Sequence, residues 1–248
     1  MTDTLTDTAT PILSTTNIGK QFGGVKALEG IDFALAEGEL RCLIGPNGAG
    51  KSTFFRCLTK QYQPTTGKVF FRGRNVSRLK THEIARLGIG IKTQVPNVFD
   101  GLTVRENLHL AASARMSGHE ASTACDEAIE RMSLQRIVHE RLDRLSHGQR
   151  QWVELAMIIT SRPYLILLDE PTAGMTSEEV AKTVELIHEI NRDTALVIVE
   201  HDMNFVRAIA RKVTVFHQGR IFAEEFADEI MRDPKVGEIY LGKRNTVQ

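Results

Sequence analysis

The stretch that decides the fold is LRCLIGPNGAGKSTFFRCL, residues 40–58. Its first part, 40–45, is a short apolar run typical of a buried strand, and 51–61 has apolar residues at helical spacing. Between them, Gly45–Thr53 fits the pattern G-x-x-x-x-G-K-[ST], in which a glycine-rich loop surrounds phosphate groups. A turn with a capping serine is the alternative, but the strand–loop–helix context favours a phosphate loop.

The residue types of this phosphate loop match the chemistry of a nucleotide. Its glycines allow close backbone approach, and its N–H groups point at phosphate oxygens. Lys51 reaches the β- and γ-phosphates, the Ser52 hydroxyl ligates Mg²⁺, and Thr53 adds a phosphate contact. The predicted nucleotide-binding residues are Gly45, Pro46, Asn47, Gly48, Ala49, Gly50, Lys51, Ser52 and Thr53.

The rest of the chain alternates apolar runs with amphipathic stretches. We expect strands in 67–76, 164–170 and 195–201, and a hairpin over 212–225 that turns at Gln218–Gly219. Residues of roughly 103–160 form a long helical stretch, and 100–150 lack a convincing strand. The pattern therefore predicts an α/β fold with a mostly parallel sheet, and a helical insert on that core.

Composition narrows the classes of partner. The 248 residues contain 31 Lys+Arg and 31 Asp+Glu, so the net charge is zero. This balance argues against nucleic acid as a main partner, although a local basic patch stays open. Cys42, Cys57 and Cys125 are scattered, which indicates buried or incidental thiols in a reducing compartment.

No sequence feature predicts a membrane span or a secretion signal. The apolar runs are far shorter than the ~18–20 residues that cross a bilayer. The first residues, MTDTLTDTATP, are polar and lack the pattern of a signal peptide, so we expect a disordered tail over 1–12. The default expectation is a cytosolic protein, which can still dock on a membrane partner.

Acidic and polar residues follow three apolar strands. Asp169 and Glu170 end the run LILLDE, at the edge where parallel sheets bind ligands. We predict that Asp169 holds the metal through water and that Glu170 polarises the attacking water. His201 sits at the end of a strand that should neighbour the Asp169 strand, although structural histidines are common there. Gln94 begins a loop after a presumed strand, and an exposed polar residue is an equal alternative.

A second anion-binding loop is indicated at Leu145–Gln149, which reads LSHGQ. Apolar residues at helical spacing follow it, so Ser146 is predicted to cap a helix. A helix start that contains glycine offers free N–H groups to an anion. This loop has no lysine and no carboxylate, so the rest of its site must come from elsewhere.

These motifs, in this order, resemble the nucleotide-binding subunit of ABC transporters. The phosphate loop, Gln94, LSHGQ, LILLDE and VEHD carry the resemblance, which covers nearly the whole chain after the first dozen residues. LSHGQ separates this family from kinases, GTPases and other phosphate-loop ATPases. The resemblance implies a RecA-like phosphate-loop ATPase core at about 13–95 and 155–248 with an antiparallel β element, and a helical subdomain at about 96–154 within a single domain 13–248.

The resemblance also implies roles for these residues. ATP with Mg²⁺ would be enclosed between two subunits facing head to tail, with Ser146, His147, Gly148 and Gln149 of one closing on ATP held by Lys51 of the other. Glu170, His201 and Gln94 would be catalytic, and the metal residues would be Ser52, Gln94 and Asp169 through water. Phe22 matches an aromatic residue that stacks on adenine, with a core residue as the alternative.

Two positions depart from the family pattern. His147 replaces a glycine of the signature, so its side chain must point away from the nucleotide. The plainer interpretation of this histidine is a tolerated variant, and the alternative is a pH-sensitive contact with the nucleotide. Thr176 stands where the family has an aspartate in the loop that crosses the dimer interface. TSEEV, 176–180, places Glu179 suitably for a capping box with Thr176.

A finer resemblance is to importers of branched-chain amino acids and related small polar solutes. LSHGQ, AGMT and YLGK look most like the urea-importer ATPase. The implied partners are transmembrane permease subunits, a second ABC ATPase subunit (a copy or, by preference, a related chain) and indirectly a periplasmic solute-binding protein, with no nucleic acid. The implied location is cytoplasmic, peripheral on the inner face of the cell membrane. An exporter, a lipopolysaccharide-extraction ATPase and a soluble non-transport ABC ATPase remain the alternatives.

Overall fold

The computed structural model describes residues 10–94 and 97–241, of which only the backbone is described at Leu241. The strands are β1 (Leu13–Phe22), β2 (Val25–Leu35), β3 (Leu40–Ile44), β4 (Thr66–Phe71), β5 (Arg74–Asn75), β6 (Ile89–Lys92), β7 (Leu165–Asp169), β8 (Ala195–Val199), β9 (Lys212–His217) and β10 (Arg220–Phe226). The helices are α1 (Lys51–Leu58), α2 (Thr81–Arg86), α3 (Val104–Ser113), α4 (Gly118–Arg131), α5 (His147–Ile159), α6 (Ser177–Asn191), α7 (Met203–Ile209), α8 (Ala227–Arg232) and α9 (Pro234–Leu241).

A six-stranded sheet forms the centre, in the order β10-β9-β3-β8-β7-β6. All its neighbours pair in parallel except β10, which pairs antiparallel with β9. Every residue of β3, β7 and β8 is buried, because helices and a second sheet cover both faces and these strands are apolar throughout. The predicted α/β fold with a mostly parallel sheet is confirmed.

A smaller antiparallel sheet, in the order β2-β1-β4-β5, packs near the phosphate-loop helix α1. Phe54 of α1 contacts Phe33 of β2, with ring centroids 5.6 Å apart, and Phe216 of β9, at 5.3 Å. The helix that follows the phosphate loop is therefore held between the two sheets, which fixes the position of the loop.

The predicted hairpin turns at the residues expected. Gln218 and Gly219 have φ angles of 49° and 75°, the pair of positive values that a tight two-residue hairpin turn requires. The N–H of Gly219 donates to the Ala49 carbonyl at 2.9 Å, and the N–H of Glu29 donates to the Gly219 carbonyl at 2.9 Å. The turn of this hairpin is thus hydrogen-bonded to the phosphate loop and helps to hold it in position.

The helical part contains α3, α4, two 3₁₀ turns (Gln135–Ile137 and Leu142–Arg144) and α5. Residues 100–150 form no strand and only one isolated bridge, between Thr103 and Arg141. Because α5 continues to Ile159, the predicted boundary at 154 falls within a helix. No helix in the described ranges has the length and apolar character needed to cross a membrane.

The first residues that the structure describes differ from the expected tail over 1–12. Ile12 is buried, and its N–H donates to the Leu35 carbonyl at 2.8 Å. The tail prediction was therefore wrong for Ile12, since this apolar side chain packs in the core beside β2. Residues 1–9, and Gly242 and Lys243 of the YLGK motif, lie outside the described residues.

Candidate functional site

The phosphate loop lies between β3 and α1 and has a backbone that only glycine allows at two points. Gly45 has a φ of 144°, and a Cβ there would lie 2.3 Å from the Phe216 carbonyl oxygen. Gly50 has a φ of 107°, and its Cβ would lie 3.0 Å from the Ala27 carbonyl oxygen. A Cβ on Gly48 would meet no described atom within 4 Å, so this part of the loop is open to a ligand.

Lys51 lies at the base of this loop, 8% exposed. Its Nζ donates to the Gly45 carbonyl at 2.6 Å and the Pro46 carbonyl at 3.1 Å. Burial lowers the pKa of Lys51, while the charges of Glu170 and Asp169 oppose that shift. An open pocket of about 150 Å³ is lined here by Ala27, Asn47, Gly48, Ala49, Gly50, Lys51, Ser52, Thr53 and Glu170.

Asp169 ends β7 as a buried carboxylate, 6% exposed. Burial raises the pKa of Asp169 to about 6, and the neighbouring charge of Glu170 adds to that shift. Its Oδ1 atom is buried and has no hydrogen-bond partner among the described residues. A buried carboxylate oxygen without a partner is costly unless a ligand satisfies it.

Glu170 follows in an unusual backbone conformation, with a φ of 47°. Its N–H donates to the Val199 carbonyl at 2.9 Å. Gln94 Nε2 donates to Glu170 Oε2 at 3.1 Å, and His201 Nδ1 lies 3.4 Å from Glu170 Oε1. The structure therefore brings together the three predicted catalytic side chains, because β6, β7 and β8 are parallel neighbours and their carboxyl ends meet at one edge of the sheet.

The oxygen donors at this edge fit a hard divalent cation. The unpartnered Oδ1 of Asp169, the Ser52 hydroxyl and the amide oxygen of Gln94, whose Nε2 is already bonded to Glu170, are the kinds of ligand that Mg²⁺ takes. A cation there would also offset the two causes that raise the pKa of Asp169, which are its burial and the charge of Glu170.

Phe22 is at the end of β1 and is 42% exposed, so the core alternative for this residue is wrong. Its ring contacts Tyr62 edge-on, with centroids 5.1 Å apart, and Lys20 Nζ lies 4.9 Å from the ring centroid. One aromatic face at the surface is suited to stacking.

The signature loop, Leu145–Gln149, opens α5 as predicted. Ser146 is the N-cap, and its Oγ accepts from the Gln149 N–H at 3.2 Å, while the Ser146 N–H donates to Gln149 Oε1 at 3.0 Å. His147 Nε2 lies 3.1 Å from the Ala173 carbonyl oxygen and 3.2 Å from Gln151 Nε2. The His147 side chain is therefore directed at the loop 171–176, which we call the crossing loop.

Thr176 caps α6, as the sequence predicted. Its Oγ1 accepts from the Glu179 N–H at 3.3 Å, and its own N–H donates to Glu179 Oε2 at 3.0 Å. The other carboxylate oxygen, Oε1, accepts from the Ser146 hydroxyl at 2.7 Å. The capping box of α6 is thus bonded directly to the signature loop, a contact that no local sequence pattern signals.

The sequence analysis did not identify a buried carboxylate, Glu200, or a buried ion pair, Lys92 with Glu154. Glu200, 1% exposed, accepts from the Thr172 hydroxyl at 2.7 Å and from the His201 N–H at 3.0 Å. Lys92 and Glu154 form a buried ion pair, 3.7 Å apart. Glu154 Oε1 also accepts from the Asn97 N–H at 2.9 Å, so the pair joins the Gln94 region to α5. The sequence signal that could have indicated these groups was a charged residue next to or within an apolar run, as in GIGIK, WVELAM and VIVE.

The two predicted anion-binding loops do not meet within the chain. None of the described residues that line the phosphate-loop pocket comes from Leu145–Gln149. The pocket beside Lys51 and Glu170 therefore contains no residue of the signature loop, and the signature loop contains no lysine.

Comparisons with known proteins agree with this geometry. The family model described as ABC transporter matches residues 28–173. The chain is 34% identical to the high-affinity branched-chain amino acid transport ATP-binding protein LivG of Salmonella typhimurium, over 94% of this chain and 98% of that one. It is 32% identical to BraF of Pseudomonas aeruginosa, which carries the same description, with coverage of 94% and 98%.

Solved structures show the same fold. A crystal structure of the ADP conformation of an ATP-binding cassette of an ABC transporter superposes with a TM-score of 0.86 at 27% identity, over 95% of this chain and 100% of that one. The dimeric structure of a bacterial ABC transporter cassette superposes at 0.76 with 28% identity, over 87% and 98%. The chain therefore belongs to the ABC transporter family of ATP-binding subunits, and it is an ATPase with the cassette fold.

Proposed function

We propose that this chain powers an ABC importer for a small polar solute of the branched-chain amino acid, urea or amide type. The observation that carries the ATPase half of this proposal is the contact of Glu170 with Gln94 and His201 beside the phosphate loop. Import is supported by relatives described as branched-chain amino acid transport proteins and by a ribose import ATP-binding protein of Rubrobacter xylanophilus, 34% identical over 88% of this chain and 45% of that one. Urea is supported by the sequence resemblance of LSHGQ, AGMT and YLGK.

The chain's own residues would prepare ATP for attack by water. The phosphate loop and Lys51 hold the phosphates, and Phe22 stacks on the adenine. Mg²⁺ would be held by Ser52 and Gln94, with Asp169 acting through water, and would neutralise charge on the phosphates. Glu170 accepts the proton of the attacking water, since its carboxylate is already oriented by Gln94. His201, whose Nδ1 lies 3.4 Å from the other oxygen of that carboxylate, would contact the γ-phosphate.

The site would be completed by a second cassette. The signature loop of one subunit, through Ser146 and the Gly148 N–H, would contact the γ-phosphate that Lys51 of the other subunit holds. ATP would close the dimer and hydrolysis would open it, which would drive two permease subunits in the membrane. The proposed position is therefore the cytoplasmic face of the cell membrane, with a periplasmic solute-binding protein acting through the permeases.

The test is to tag the chain in its native host, solubilise the membranes gently and identify the copurifying proteins by mass spectrometry. We expect two polytopic permeases, a cassette subunit and a periplasmic binding protein, whose ligand then names the solute. Recovery of permeases without a binding protein would favour an exporter. Recovery of soluble partners alone would overturn transport.

A further inference from the structure

The signature loop already holds an anion that belongs to the same chain. Glu179 Oε1 accepts from the Ser146 hydroxyl at 2.7 Å. A Cβ built on Gly148 would lie 2.4 Å from Cδ of Glu179, so the carboxylate lies directly over that glycine. Gly148 is consequently buried, although Ser146 and His147 before it are exposed.

The hydrogen-bond donors in this contact are those of an anion-binding helix start. Bonds from the Thr176 N–H and the Ser146 hydroxyl, with a weaker one from the Gly148 N–H, hold the pKa of Glu179 below its usual value. The carboxylate is therefore ionised, and it lies at the positive end of the α5 dipole.

These donors are the ones that the proposed function assigns to the γ-phosphate of ATP on a second cassette. A hydroxyl has one proton to donate, and two anions cannot occupy the same cluster of donors. The Glu179 carboxylate must therefore leave Ser146 and Gly148 before a phosphate can bind there.

We propose that Glu179 is an internal competitor of the γ-phosphate, which occupies the signature loop of the single cassette and raises the ATP concentration needed to close the dimer. This inference rests on the proposed function, because it requires the two-cassette ATP site. The other oxygen of Glu179, Oε2, accepts from the Thr176 N–H. If the side chain rotates while this hydrogen bond is kept, Oε1 leaves Ser146 and Gly148, and α6 stays capped.

The variant that separates competition from support is Glu179→Gln. Glutamine keeps the capping box, because Gln is the other residue that serves at this position, but it removes the charge. Glu178→Gln is the matched control, since Glu178 is exposed in the same first turn of α6 and carries the same charge. Both changes are made in a Glu170→Gln background, in which hydrolysis does not remove ATP.

Sedimentation velocity at fixed protein concentration then gives the ATP concentration at which half of each variant is dimeric. We expect Glu170→Gln/Glu179→Gln to need roughly tenfold less ATP than Glu170→Gln, which corresponds to about 1.4 kcal/mol, and the Glu178 control to match the background. ATP affinity of the monomer, measured at low protein concentration, should not change.

An unchanged or higher ATP requirement in Glu170→Gln/Glu179→Gln, with unfolding temperature preserved, would overturn the inference and make Glu179 a support of the loop. If Glu179→Gln lowers the unfolding temperature, Glu179→Asp serves in its place: it keeps the charge on a shorter side chain that no longer reaches Ser146, and it too should lower the requirement. Failure of the Glu170→Gln background itself to dimerise in saturating ATP is a different result, which would contradict the proposed function.

Discussion

The phosphate loop and the signature loop are both glycine-containing helix starts, but their charges are balanced in opposite ways. Around the phosphate loop, Lys51 has a lowered pKa, Asp169 has a raised one, and the Oδ1 of Asp169 has no partner among the described residues. Around the signature loop, Ser146 and Glu179 satisfy each other. The phosphate-loop region has a buried carboxylate oxygen that only a ligand would satisfy. The hydrogen-bond donors of the signature loop are already satisfied by the Glu179 carboxylate, which a ligand would have to displace.

In the proposed two-cassette site, this difference would let one chain bind ATP at its phosphate loop while its signature loop binds phosphate only when a second chain supplies it. The cost of burying unpaired charge at the phosphate loop is recovered when nucleotide and cation bind. At the signature loop, binding has to replace an existing charge-assisted hydrogen bond, so it yields less free energy. We therefore expect tight ATP binding at the first region and conditional binding at the second.

The largest expected effect is on catalysis at the phosphate-loop side. Replacing Glu170 with Gln should lower kcat by roughly 10²–10⁴, because the amide cannot accept the proton of the attacking water. Phosphate release under saturating ATP measures the change, and the exposed Glu178→Gln serves as the control. Turnover close to that of the unmodified protein would show that another group is the base.

The next effect concerns the buried ion pair that joins β6, the strand before Gln94, to α5, the helix that begins at the signature loop. Glu154→Ala leaves Lys92, 0% exposed, without its partner, and should cost about 3–5 kcal/mol of stability. The double variant Lys92→Met/Glu154→Leu removes both charges and should regain most of that loss. Urea unfolding measures all three proteins. A single variant that costs less than about 1 kcal/mol would mean that water already reaches the pair.

Asp169 gives a pH-dependent effect of intermediate size. Its pKa is about 6 in the folded state and 3.8 ordinarily, so between these values the folded state binds more protons than the unfolded one. Its contribution to stability is therefore lost as the pH rises through this window, by about 3 kcal/mol in all. Without nucleotide, Asp169→Asn should be more stable than the unmodified protein at pH 7, with the advantage disappearing near pH 4. Urea unfolding across this pH range would contradict the account if the difference were constant.

The smallest effect is on the signature-loop side. Ser146→Ala removes the cap of α5 and should lower the free energy of unfolding by about 1 kcal/mol. ATP affinity of the single chain should stay the same, because Ser146 does not line the phosphate-loop pocket. Ser146→Asn, which retains a capping oxygen, is the matched control for stability. A loss of ATP affinity in Ser146→Ala would mean that the two regions communicate within one chain.

Much of the fold and site could be predicted because the informative residues are local. The Gly45–Thr53 pattern, the apolar runs of β7 and β8 and the Gln218–Gly219 turn each fix their own backbone. The structure confirms the two strands, the turn and the strand–loop–helix order around Gly45–Thr53. Strand order then brought Gln94, Glu170 and His201 together.

What could not be predicted depends on partners far apart in the sequence. Glu179 was expected to form a capping box with Thr176 at the start of α6, but its second bond, to Ser146, spans 33 positions. Lys92 and Glu154 are also separated by a whole helical insert, and each looks like a misplaced charge until its partner is known. Phe22 needed the structure for a similar reason, since exposure decided between surface and core.

The central claim is that the signature loop of one cassette completes the ATP site of another. The most direct test is to mix the Lys51→Ala and Ser146→Ala variants and measure ATP hydrolysis at a protein concentration where dimers form. Each variant alone should be nearly inactive, because both of its sites are damaged. In a mixed dimer, a two-fold arrangement joins an intact Lys51 to an intact Ser146 at one of the two sites, so the mixture should recover part of the unmodified turnover. A mixture no more active than its components would contradict the shared site.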